Sequence, residues 1–217
     1  MGSGISSHHY SMGVREILSS LSGSDSHTVL VYPDIETLRE IYSNYIQQQL
    51  DKNQIVLFLP YFETVEGVRN ILSVFQNTYG KKIKVEYHLR DGSLLILDSY
   101  EVFFNNKIKN SDRTHSSSSQ SYTNNRSGIV LLLRIMQSHC KKIDKDGVTM
   151  LVDFGVFFTN AELEDILNYE KTVLHSFSDK ALTHICLYHQ RDFDTRLNND
   201  DKAILLNEHG KTLLMLD

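Results

Sequence analysis

The chain has 217 residues, 41% of them hydrophobic and 23% charged, with a formal net charge of −5 and a sequence pI near 6.0. This suits one globular domain with a real core. It argues against a general nucleic-acid binder, which needs a basic surface to displace counterions. No run approaches the roughly 18 apolar residues of a membrane helix, and the Ser/Gly-rich start "MGSGISSHHYSMG" lacks the basic and apolar regions of a secretory signal. A cytoplasmic location is the expectation.

Residues 1–24 read as a tail with one short amphipathic stretch at 14–21, ahead of a single domain over 25–217. "HTVLVY" is the first buried strand. Pro33-Asp34 ends it, Asp34 suits the N-cap of a helix, and Leu38, Ile41, Tyr42, Tyr45, Ile46 and Leu50 recur at helical spacing over 35–52. "QIVLFLPY" is the second strand. Thr64 starts a second helix carrying Val65, Val68, Ile71, Leu72 and Phe75 on one side. "KIKVEYHL" alternates and predicts a half-exposed strand; "SLLILDS" follows the turn pair Asp91-Gly92 as another, in a hairpin with it or separately in the main sheet.

Residues 105–128 hold seven serines and only Ile108 and Tyr122 as large apolar or aromatic groups. Such a segment buries too little surface to offset its ordering entropy and predicts a flexible insertion. A helix is expected over 129–145 with Leu132, Leu133, Ile135, Met136 and Cys140 inward. "VTMLVDFG" is a strand ending at Asp153, and Asn160 is placed to cap a helix over 161–177. "THICLYH" is the next strand, 193–206 is partly helical, and "KTLLMLD" closes the chain as a strand. Strands alternating with helices, and strands reading as continuous apolar runs, predict an α/β fold: a mostly parallel sheet of roughly five to seven strands with helices on both faces, doubly wound or RecA-like.

In such a sheet ligands bind at the carboxyl ends of the strands. Tyr32, Tyr61, Asp98 and Asp153 close apolar runs there. Asp153 has the form of a metal-holding acid beside a nucleotide, and equally of a turn residue; for Asp98 the turn reading is favoured. The place of a phosphate loop holds "YPDIET", without glycine or lysine, and Asp34 and Glu36 add negative charge where phosphate would sit. ATP hydrolysis by that route is not expected, and GxSxG and HExxH are absent. "SHTVLVYPD" and "THICLYHQ" each run His, apolar stretch, Tyr. His27 and His184 fall at the amino ends, and no third ligand of recognisable spacing joins them, so no metal is expected there. Cys140 and Cys186 read as buried reduced thiols.

"HTVLVYPDIETLREIYSNYIQQQLDKNQIVLFLP" resembles the opening of the MEDS family, the methanogen/methylotroph DcmR sensory domain. "GSLLILDSYEVFF" looks like that family's middle strand, "ILNYEKTVLHSF" its Tyr-Glu helix and "HICLYHQRDFD" its late strand, so the resemblance spans about 25–217. The family's layout is similar to KaiC/RecA-type ATPases with the phosphate loop lost. On that likeness Glu63 falls near the catalytic glutamate and Asp153 at the acid of the metal-binding strand. "VDFG" stands where relatives carry a "GEM"-like stretch, and the Ser-rich insertion also departs from the family pattern.

The resemblance implies a non-catalytic sensory domain without cofactor. A small organic ligand would bind Tyr32, Tyr61, Glu63, Asp153, Phe154 and Glu170, the last carried over from the Tyr-Glu helix. A histidine kinase or transcription regulator would receive the signal, with no direct contact to nucleic acid or membrane and a homodimer left open. Two other readings stand beside it: a degenerate ATPase fold serving as a protein-interaction module, and an enzyme of unfamiliar type.

Overall fold

The computed structural model describes residues 27–76, 80–104, 126–160, 166, 169, 182–208 and 213–215. The element order is β1 (His27–Tyr32), α1 (Ile35–Asp51), β2 (Gln54–Leu59), α2 (Val65–Val74), α3 (Val85–Asp91), β3 (Leu94–Ile96), α4 (Ser99–Phe103), α5 (Arg126–Lys142), β4 (Gly147–Asp153), α6 (Gly155–Asn160), β5 (Leu182–His189), α7 (Gln190–Arg196), α8 (Asn199–Glu208) and β6 (Leu213–Met215). The six strands form one sheet in the order β3-β2-β4-β5-β1-β6, and every pairing is parallel.

Topology and chirality together place the helices. From β1 the chain steps through β2 to β3 at one edge, then reverses through β4 and β5 to β6 at the other. Right-handed crossovers put connections running in opposite directions on opposite faces. One face accordingly packs Leu30, Val56, Phe58, Leu151 and Ile185 beneath α1, α2 and α3. The other packs Val29, Leu57, Met150, Val152 and Tyr188 beneath α4 to α8. With both faces covered, consecutive strand residues are all buried, which is why the strands read as unbroken apolar runs. This is the expected α/β architecture, a RecA/KaiC-like three-layer sandwich.

Helix starts follow their capping residues. Asp34 accepts from Thr37 N–H at 2.7 Å, Thr64 from Gly67 N–H at 3.0 Å and Asp98 from Glu101 N–H at 3.0 Å. β3 ends at Ile96, so Asp98 is a cap rather than a strand-end acid, in line with its turn reading.

Several expectations change. "KIKVEYHL" is not a strand: α3 buries Val85, packs Leu89 one turn on against the same cluster, and leaves Tyr87 about half exposed. Asp91-Gly92 is its C-terminus, with Gly92 in the left-handed region at φ 75°. α5 starts at Arg126, inside the segment read as an insertion, and Ile135 on it is 57% exposed rather than inward. A short helix, α6, runs directly from β4 to Asn160. The N-terminal tail, residues 105–125 of the insertion and most of 161–177 lie outside the described residues. Among the described residues no helix is long and apolar enough to cross a membrane.

Ile55→Ala, in the fully buried middle of the sheet, should cost about 2–5 kcal/mol in urea unfolding, because the cavity adds to the lost transfer energy. Ile135→Ala should stay within about 0.5 kcal/mol of the parent, as an exposed position does.

Candidate functional site

Strand register decides which side chains meet at the carboxyl edge. Tyr32 is the partner of His189 across β1 and β5, and Asp153 pairs with Leu187 on the far side of β5. Alternation puts Tyr32, Asp153 and His189 on the face covered by α1 to α3. The tyrosines of the two similar phrases are not equivalent: Tyr188 pairs with Val31 and packs into the opposite face.

The Tyr32 hydroxyl donates to Asp153 Oδ2 at 3.4 Å, long for an O–H···O bond. Phe62, on the loop after β2, sets its ring edge-on to Tyr32 (centroids 6.4 Å apart) and tilted against His189 (5.7 Å). Tyr32 and His189 are themselves edge-on at 5.4 Å. Phe62 is 45% exposed and is the outer member of this aromatic group. His189 Nδ1 accepts from Arg191 N–H at 3.2 Å and so caps α7, which places the proton of a neutral ring on Nε2.

Asp153 is 1% exposed. Burial pushes its carboxyl up to about 7, against the opposing pull of the Gly155, Phe62 and Tyr61 N–H groups and the Tyr32 hydroxyl. Burial, and then the neighbouring Asp153, hold the Tyr32 phenol far above its ordinary value, so it stays a neutral donor. Gly155 N–H reaches Asp153 Oδ1 at 3.0 Å. A Cβ at Gly155 would lie 2.7 Å from Tyr61 Cδ1 and 2.8 Å from Phe62 Cε2, so this glycine lets the aromatic loop lie against the start of α6. Tyr61 is fixed further by a 2.6 Å hydrogen bond between its hydroxyl and that of Thr159.

The other expected residues have different company. Glu63 takes Arg39 Nε at 2.8 Å and a second guanidinium nitrogen at 2.7 Å on Oε1, and Tyr42 O–H at 2.9 Å on Oε2. Its carboxylate therefore anchors the loop to α1. Phe154 is fully buried, stacked on Tyr188 at 5.0 Å and on Phe157 at 5.3 Å in the opposite core, away from Tyr32. Glu170 lies outside the described residues. Asp34 puts its own carboxylate on the first turn of α1, the place a phosphate would take.

The structure thus brings together Tyr32, Tyr61 and Asp153, and adds Phe62, Gly155 and His189. The signal for His189 was present in the sequence: it stands five residues after His184, as Tyr32 stands five after His27. At the opposite rim His27 and His184 are register partners, as their phrases suggest, and a third donor joins them. Cys186, two residues along β5 on the same face as His184, sits 3.1 Å from His27 Nε2.

A raised carboxyl makes folding pH-dependent. Unfolded aspartate titrates near 3.9, so between about 4 and 7 the folded chain holds a proton that the unfolded chain has lost. This group's contribution is full at acid pH and is lost as pH rises through that window, by on the order of 4 kcal/mol in total. Urea unfolding from pH 4.5 to 8 (~0.5-unit steps) should show parent stability falling relative to Asp153→Asn. Parallel curves would assign the carboxyl an ordinary value.

A model of the MEDS family, described as the methanogen/methylotroph DcmR sensory domain, matches residues 26–200. No curated protein matches the chain. Among solved structures, an uncharacterised protein of Pyrococcus horikoshii in complex with an unknown peptide is similar at 14% identity, over 94% of this chain and 84% of that one, with a TM-score of 0.57. The Cdc6p protein of Pyrobaculum aerophilum aligns with 94% of this chain and 43% of its own at 12% identity, with a TM-score of 0.40. The first of these likenesses is one of fold; the family model extends over most of the chain, from the start of β1 into α8, and on that match the chain belongs to the MEDS family of sensory domains.

Proposed function

We propose that this chain is a non-catalytic sensory domain that binds a small organic molecule at the carboxyl edge of its sheet and reports occupancy to a separate kinase or transcription regulator. One observation carries the reading: a buried Asp153 and the Tyr32 hydroxyl lie beneath an aromatic cover whose outer ring, Phe62, is half exposed. Aromatic walls around a few convergent polar groups are the usual makeup of a small-molecule site. If Phe62 swings outward, a ligand's polar end meets Asp153 and Tyr32, while its apolar part takes the place of the ring.

The same loop offers a route for the signal. Glu63 ties it to Arg39 and Tyr42 of α1, so movement of Phe62 is felt along a helix that covers the sheet. A carboxylate committed to this bridge, and a phosphate position closed by Asp34, favour sensing over nucleotide turnover. The protein-interaction reading draws on one further observation, the exposed rings of Tyr87 and Tyr100.

Thermal unfolding against a panel of small alcohols, amines, amides and carboxylic acids, and against Mg-ATP, tests the proposal. Binding to the folded state adds about 2.7 kcal/mol of stability at a hundred times Kd. The expected result is a raised midpoint with one organic class, abolished in Asp153→Ala. A shift with Mg-ATP alone would overturn the sensory reading in favour of a nucleotide enzyme, and a silent panel would overturn it in favour of protein interaction.

A further inference from the structure

We infer that His27, His184 and Cys186 form a binding site for a single thiophilic cation of the Zn(II)/Cu(I) class, at the amino end of the sheet and separate from the carboxyl-edge site. The three side chains are 4%, 2% and 0% exposed. One nitrogen of each imidazole and the Cys186 sulfur all lie within 4.8 Å of one another. His27 Nε2 is 3.1 Å from Sγ, and the His184 nitrogens are 3.5 Å (Nε2) and 3.8 Å (Nδ1) from it.

The donors come from two inner strands of the sheet. β1 and β5 are adjacent strands flanked on both sides, and the register sets His27 directly beside His184. Cys186 follows at the one spacing, two residues, that keeps it on the same face. Two imidazoles and a thiolate are the ligand chemistry of zinc and cuprous sites, and carboxylates, which would draw harder cations, are absent from the cluster. Zn–S and Zn–N bonds of about 2.3 and 2.0–2.1 Å at tetrahedral to trigonal angles separate N and S by about 3.5–3.8 Å. The His184 distances already span that range. His27 needs to draw back by about half an ångström to reach it.

One feature of the geometry must change on binding. The two rings are stacked, 4.6 Å between centroids and 7° from parallel. Imidazole lone pairs lie in the ring plane, so parallel rings cannot aim at one point. The ion therefore turns at least one ring out of the stack. The chemistry balances without an oxidant: the Cys186 thiol loses a proton to solvent, its sulfur donates to the cation, and each neutral imidazole gives one lone pair. Met150, the register partner of His184 on β4, lies on the same face, so the neighbourhood is apolar and soft.

The test uses the full chain, stripped with chelator and titrated with Co(II) and Zn(II) aerobically and with Cu(I) under reducing anaerobic conditions. Expected is a single ion per chain, a thiolate-to-cobalt charge-transfer band in the near ultraviolet, and a raised unfolding midpoint. Cys186→Ser and His27→Gln should weaken binding by more than about a hundredfold, beyond the range of outer-shell changes. Cys140→Ser, which alters the other cysteine, should leave it unchanged. Saturation by Cu(I) with weak Zn(II) binding would mark a three-coordinate cuprous site, and the reverse a zinc site; either upholds the inference. Folded parent protein that takes up no cation, or takes up cobalt without the thiolate band, would overturn it even if the substituted chains fail to fold.

Discussion

A parallel sheet leaves no face for water, and each return to its start must cross over one covered side. Nearly everything else here follows from that constraint. Because crossovers are right-handed, the two directions of travel across the sheet separate the helices into a set over each face. Because all strands point the same way, their ends gather into two rims of opposite character. The carboxyl rim collects a phenol, an aspartate, a histidine and a loop rich in aromatics. The amino rim collects two histidines and a thiol. β5 contributes to both: its five-residue step from His184 to His189 spans about 16 Å.

The carboxyl rim is built without a phosphate cradle. A helix N-terminus facing a ligand normally offers free N–H groups to an anion. In this chain Asp34 supplies the anion covalently, and the dipole of α1 is satisfied from within. The acid at the end of β4 has likewise turned inward. Asp153 gathers N–H groups from the β2–α2 loop and from Gly155, and so draws the loop over the strand ends. Glu63 does the same from the other side through α1. Two carboxylates thus hold down the loop over the strand ends.

How much of this could be read from the sequence depended on which interactions were local. Strand and helix order was legible because both faces of the sheet are buried, giving unbroken apolar runs at β1, β2 and β4. Caps at Asp34 and Thr64 were legible because a capping bond spans three residues. "KIKVEYHL" misled because Val85 and Leu89 satisfy a period of two and a period of four alike; the arbiter was Gly92, which reads as a hairpin turn but serves as the left-handed end of a helix. Tyr32 and Asp153 were placed at the carboxyl edge by their positions at strand ends. Phe154 was not placeable, because a residue one past the strand can turn to either core and only the path of α6 decides which. Cys186 was considered beside Cys140 rather than beside the histidines, since proximity across strands is set by register, and register is a property of the sheet.

Asp153 sits between its two charge states. An ionised carboxylate at this depth would be stabilised by four donors, yet burial outweighs them and keeps the proton within reach of neutral pH. A group in that balance responds strongly to small changes in hydration. Displacing Phe62 would admit water and favour the charged form, whereas an apolar ligand sealing the same opening would favour the neutral one. On the proposed reading, Asp153 would accept from a ligand's donor group when ionised and donate to it when protonated. On the far side of Phe62 the loop is held to α1 by Glu63 on Arg39 and Tyr42. The 3.4 Å bond from the Tyr32 hydroxyl is longer than the 3.0 Å bond from Gly155 N–H to the same carboxylate, so the phenol is the looser of these two donors.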